Sequence, residues 1–208
     1  MNKSNLTKVG TFFSLLLIVS VVGYNWYHHR RAEQAKKDWH YLENSLDHNA
    51  DIHTKLKHYK DFIKVWAGTP SSSTACYLVG QLYMQTADKD YDNAIKYLTM
   101  AKFTKGSILD AERHTRLATC YQHTDKLEKA LTAYEHVIAH APAYGCKIEA
   151  LWAKANIYAT GRLQNQAKRC KTLQQITEIP LDGINEDESS LKIIYTAESI
   201  LESISPTA

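Results

Sequence analysis

Between Ala111 and Tyr144 the chain sets a large apolar residue beside a small one and an aromatic, Leu117-Ala118-x-x-Tyr121. A small residue, Ala130, follows, then an aromatic, Tyr134, and a proline, Pro142. No other feature restricts the fold as much. The order suits two antiparallel helices in close contact. Ala118 and Ala130 let the two backbones approach where they cross, and Tyr121 and Tyr134 fill the space beside the crossing. His123-Thr124-Asp125-Lys126 supplies a polar turn between the helices, and Pro142 stops the second one.

The pattern returns on both sides. Upstream, Gly80 and Tyr83 lead to Ala94; downstream, Ala155 and Tyr158 lead to Ala167. Ala94, Ala130 and Ala167 recur near the period of roughly 34 residues of a helical-hairpin repeat. The pattern resembles the tetratricopeptide repeat, with copies expected at 73–106, 111–144 and 148–181. The third copy is degenerate, because Lys154 and Lys171 stand where apolar residues are usual. The predicted fold is all-α: an N-terminal transmembrane helix, then a right-handed α-solenoid of these repeats closed by a C-terminal capping helix.

The rest of the chain is read around that core. Residues 1–8 form a short polar and basic head. Residues 9–27 are mostly apolar, and at about 1.5 Å per residue they match one hydrocarbon core of about 30 Å. Tyr24, Trp26 and Tyr27 close the run as an aromatic belt, and His28-His29-Arg30-Arg31 follow. A signal-peptide cut would need better small residues than Val21-x-Gly23, so an uncleaved single span is expected. Basic residues flank both ends, and the positive-inside rule leaves the orientation open. Residues 28–50 read as a helical linker with Ala32, Ala35, Trp39 and Leu42 at helical spacing. The domain of residues 51–204 opens with Asp51 as an N-cap and a lone helix carrying Leu56, Tyr59, Ile63 and Trp66. Residues 187–204, with Leu191, Ile194, Tyr195, Ala197 and Leu201, form the terminal cap that a solenoid requires.

No catalytic set, cofactor loop or zinc motif stands out, so a non-enzymatic protein without cofactor or metal is expected. The formal charge is +3 and the basic residues are scattered, which argues against nucleic acid as a partner. Cys76, Cys120, Cys146 and Cys170 have no zinc spacing; they read as packed thiols, with a disulfide as the alternative. His136 and His140 are spaced for one face of a helix, but no third metal ligand lies near them in sequence, and they read as two surface histidines.

The candidate protein-binding groove is the inner face made by the first helix of each repeat. Its expected residues are Thr74, Tyr77, Gln81 and Gln85, then Glu112, Thr115, Thr119 and Gln122, then Trp152 and Asn156. This face is polar and nearly uncharged, with aromatic anchors, and suits loose contact with extended or unfolded chain.

The aromatic exit Gly23-Tyr24-Asn25-Trp26-Tyr27-His28, the alanine-rich helix after it, the half-repeat before Pro70 and the three repeats together resemble the YfgM-like ancillary subunit of the bacterial Sec translocon. The resemblance implies a single-pass inner-membrane protein with its repeats in the periplasm. It implies the translocon and a membrane-anchored periplasmic chaperone as partners, and unfolded client chains as further ones. A cytosol-facing anchored receptor and a scaffold of another envelope machine are the alternatives.

Overall fold

The computed structural model describes residues 3–46, 50–180 and 187–204, with side chains from Leu17 onward. Among these residues the protein is all-α, with nine α-helices and no strand. The chain divides into two compact units, residues 1–75 and 76–208, and the division falls inside the third helix. The expected start of the repeat domain at residue 51 lies well before this division, which groups the lone helix with the N-terminal segment.

The first unit holds α1 (Lys3–Ser45), α2 (Ile52–Trp66) and the start of α3 (Pro70–Gln85). The stripe expected on the linker is real: Ala35 and Trp39 are buried. Trp39 packs on Tyr59 and Phe62 of α2, with ring centroids 5.5 and 5.2 Å apart. Nearer the other end of the pair, Arg31 Nη2 donates to the Val65 carbonyl at 3.0 Å, so α1 and α2 run antiparallel. Asp51 caps α2 as expected, accepting from His53 N at 2.8 Å and Thr54 N at 3.0 Å.

The expected membrane span is corrected here. Among the described residues no helix is long and apolar enough to cross a membrane. Residues 9–27 lie within α1, but the side chains of residues 9–16 fall outside the description. From Leu17 the aliphatic run reaches only Val22 before Gly23, Tyr24, Asn25, Trp26, Tyr27, two histidines and two arginines dilute it. The placement as a single-pass inner-membrane protein with a periplasmic repeat domain is overturned with the span.

The second unit continues α3 and adds α4 (Tyr91–Met100), α5 (Ile108–His123), α6 (Leu127–His140), α7 (Tyr144–Ala159), α8 (Gln166–Thr177) and α9 (Glu188–Ile204). Consecutive helices pack on one another from α4 through α9, and α7 also meets both α5 and α9. The turns after α3 and α5 are built alike. Lys89 and Asp125 have φ of 44° and 53°, each one residue before the N-cap of the next helix.

In the first two pairs small residues stand at close helix contacts. Gly80 of α3 faces α4 so closely that a Cβ there would lie 2.6 Å from Leu98 Cγ. Tyr83 stacks on Tyr97 beside this contact, at 5.8 Å. Ala94, Ala118 and Ala130 are completely buried, and Tyr134 is nearly so. Tyr121 is half-buried against the same cluster as Ala118 and Ala130. α6 ends at His140, with Ala141 as C-cap, immediately before Pro142.

In the third pair Ala155 and Tyr158 are buried, but Ala167 is exposed. A 3-10 turn, Gly161–Leu163, delays α8. Ala94 and Ala130 are each the fourth residue of their helices, whereas Ala167 is the second of α8 and Arg169 the fourth. Burial in α8 therefore falls on Thr172, Leu173 and Ile176, which match Ala133, Tyr134 and Val137 of α6.

One cluster joins α5, α6 and α7 through Ala118, Ala130, Val137 and Ala150. A second joins α7, α8 and α9 through Ile148, Leu173, Ile176 and Ile194. α9 packs on α7 and α8, with Ile194 and Ala197 inward and Tyr195 exposed. The part of the acidic linker at residues 182–186 lies outside the described residues. All four cysteines are free thiols. Cys76 and Cys120 are buried, and burial pushes both thiols up to about 11.

Candidate functional site

The expected groove residues separate into three environments. Tyr77, proposed as an anchor, is buried. Its hydroxyl donates to Glu112 Oε2 at 2.6 Å and accepts from Arg116 Nε at 2.9 Å. With the Gln81 amide turned to satisfy both groups, its oxygen accepts from Arg116 Nη2 at 2.8 Å. The Arg116 guanidinium also lies over the Tyr77 ring, 5.6 Å from its centroid. Burial and the Glu112 carboxylate raise the Tyr77 phenol, against the pull of Arg116. Tyr77, Gln81, Glu112 and Arg116 form one polar knot that ties α3 to α5. Arg116 was not foreseen, although it follows Glu112 at i,i+4 on the same helix face. The face is therefore not nearly uncharged.

Other expected members are satisfied within their own helices or packed. Thr115 Oγ1 donates to the Ala111 carbonyl and Thr119 Oγ1 to the Thr115 carbonyl. Gln122 accepts from Tyr134 OH at 2.8 Å. Trp152, the second anchor, is half-buried against the α7–α8–α9 core. Thr74 is half-buried and belongs to the first unit. Gln85 and Asn156 alone of the ten are exposed.

A second constellation was missed. Asp110 and His114 on α5 meet His136 on α6, with one ligand-type atom from each within 4.8 Å of the others. Asp110 sits at the third position of α5, where Ser107, the N-cap, accepts from its N–H at 3.2 Å. Its carboxylate reaches back past the N-cap toward Gly106 N at 3.4 Å. The same carboxylate accepts from Arg113 Nη2 at 2.8 Å and pairs with His136 Nε2 at 2.9 Å. His114, His136 and His140 stack in a row, with ring centroids 3.7 and 4.7 Å apart. His136 and His140 are half-buried, not surface histidines. The signal was two i,i+4 pairs, Asp110/His114 and His136/His140, on consecutive antiparallel helices. Each pair was visible alone, but their register was not.

No protein-family model, curated protein or solved structure matches this chain significantly.

Burial would raise the Asp110 carboxyl, but hydrogen bonds from Arg113 and His136 outweigh it and hold it at about 2. Burial lowers His114, the charges of Arg113 and His136 lower it further, and Asp110 only partly offsets them, leaving it at about 4. His114 titrates at 6.5 when unperturbed. Unfolded chain therefore takes up a proton on this residue in a range where the folded chain does not. The resulting stability is fully present above pH 6.5 and is lost as pH falls toward 4, by at most about 3 kcal/mol. The contribution of Asp110 is lost only below its unperturbed 3.8. Urea titrations at pH 7 and pH 4.5 should show a loss in wild type that is much smaller in His114→Gln. Equal losses in both proteins would assign the acid sensitivity elsewhere.

Proposed function

We propose that this protein is a non-catalytic scaffold that binds other proteins, and that helices α3 to α8 are three tetratricopeptide-like pairs stacked as a right-handed solenoid under the α9 cap. One observation carries the reading: the first helices of successive pairs lie side by side. α3 is joined to α5 through Tyr77 and Glu112, and α5 meets α7. Such an array presents a continuous face on which an extended polypeptide finds repeated, similar contacts. Gln85 and Asn156 are its exposed polar points, and Glu112 and Arg116, joined through the Tyr77 hydroxyl, are its charged centre.

Extended or unfolded chain is the partner class that suits this face. The translocon and the chaperone implied by the sequence resemblance are carried forward as candidate partners for the same surface. The binding energy cannot come from Tyr77 and Trp152 as free anchors, because both are engaged in packing. Shallow contacts with helix-borne polar groups favour micromolar rather than nanomolar affinity.

The test uses a fluorescent, reduced and carboxymethylated unfolded protein as probe. Gln85→Glu with Asn156→Glu on the proposed face should weaken its binding by about tenfold, equivalent to about 1.4 kcal/mol. Thr99→Glu with Thr132→Glu adds the same charges to exposed positions on α4 and α6 and should leave binding unchanged. The reverse ranking would move the binding surface to the second helices.

A further inference from the structure

We propose that Asp110, His114 and His136 form a binding site for a divalent transition-metal ion of the zinc class, in which the ion takes the position occupied by Arg113 Nη2. The argument starts from that guanidinium. Arg113 Nη2 lies 2.8 Å from Asp110 Oδ1 and 2.7 Å from His114 Nε2, so a cation already sits between a carboxylate and an imidazole lone pair. The contact requires the lone pair of His114 to be on Nε2, which is the form a metal binds.

The donor spacing fits. Ligand atoms around a tetrahedral zinc stand about 3.3 Å apart, given metal–ligand distances near 2.0–2.1 Å. Asp110 Oδ2 and His136 Nε2 are 2.9 Å apart, and Asp110 Oδ1 and His114 Nε2 are 3.7 Å apart. The three donors lie within 4.8 Å of one another, so side-chain movements of about 1.5 Å or less draw them to this spacing around one ion. On binding, His136 moves its ring proton from Nε2, where it faces Asp110, to Nδ1. No bond between heavy atoms of the protein is made or broken.

Two polar atoms beside the donor set lack a protein partner. Arg113 Nε and His140 Nδ1 are buried without a hydrogen-bond partner. Buried polar groups in folded proteins are nearly always paired, and these two belong to residues that flank the donor set. Release of Arg113 frees its Nε to reach water, since the side chain retains 14% exposure. His140, next in the stacked row, stands behind His136 at the site's edge. One carboxylate and two imidazoles select zinc, cobalt, nickel or copper over magnesium and calcium, which demand oxygen ligands. Three protein ligands leave a fourth position for water.

The experiment titrates the full chain with Zn²⁺, and with Co²⁺ as a spectroscopic probe. Wild type should bind one Zn²⁺ saturably, and Co²⁺ should give the intense visible bands of tetrahedral coordination. His136→Asn and His114→Asn should each weaken Zn²⁺ by about 100-fold or more, since even residues that only support ligands cost 10–100-fold when lost. Arg113→Met removes the competing cation and should tighten binding by about tenfold. His123→Gln, on α5 but paired with Tyr91, should change nothing. Far-ultraviolet circular dichroism confirms that each variant is folded. Absence of saturable binding in wild type overturns the site, as does wild-type affinity in both histidine variants. Unchanged affinity in Arg113→Met overturns the displacement of the guanidinium.

Discussion

Asp110→Ala should destabilise the protein by about 3–5 kcal/mol, the range for removing one partner of a buried ion pair. Asp110 is 3% exposed, and its carboxylate carries three duties at once. It closes the first turn of α5 by reaching toward Gly106 N. It neutralises Arg113, whose side chain is itself 14% exposed. It also holds His136 of α6 at 2.9 Å, and so links the two helices. Alanine leaves Arg113 charged and without its carboxylate in a place that water reaches poorly. Asp110→Asn should cost less, because an amide oxygen can still accept from Arg113. Urea unfolding at pH 7, followed by circular dichroism, separates the two variants. A loss below about 1 kcal/mol in the alanine variant would mean that the ion pair is effectively solvated.

The second large effect lies where α3 crosses α4. Leu98 is completely buried, and Leu98→Ala should cost about 2–5 kcal/mol through lost burial and the cavity left behind. Gly80→Ala places a methyl 2.6 Å from Leu98 Cγ and 3.3 Å from the Ala94 carbonyl oxygen. Neither neighbour is the loose end of a long side chain, so overpacking should cost about 1–3 kcal/mol. That cost outweighs the gain of about 1 kcal/mol from alanine's better helix propensity. The two changes compensate in shape, because the alanine at 98 vacates the space that the new methyl needs. The double variant should therefore be more stable than the sum of the singles predicts, by about 0.5–3 kcal/mol. Strict additivity would show that Gly80 and Leu98 do not share this contact.

How far the sequence could be read differs from helix to helix. Ala118 and Ala130 were legible because a small residue at a helix crossing has a steric cause that acts within one hairpin. Asp51 was legible because an N-cap is local. Ala167 was misplaced because the 3-10 turn at Gly161–Leu163 shifts the register of α8, and spacing alone does not reveal an inserted turn. Tyr77 was assigned to an open face because helical periodicity names a side of a helix without saying what covers it. Arg116 and Glu112 of α5 cover it. The Asp110, His114 and His136 set is assembled from two helices and depends on their relative rotation, which no single-helix pattern contains. The stretch before Arg30 misled for a compositional reason. The expected span took in Gly23, Tyr24, Asn25, Trp26 and Tyr27, which are less apolar than the residues before them.

The measurement that bears most directly on the protein-binding reading is site-specific photo-crosslinking to the unfolded probe chain. A photoreactive residue at Asn156, exposed on α7, should label the probe in a manner that unlabelled competitor abolishes. The same residue at Thr132, exposed on α6, should label little. Equal labelling from both positions, or labelling from Thr132 alone, would contradict a binding face built from the first helices.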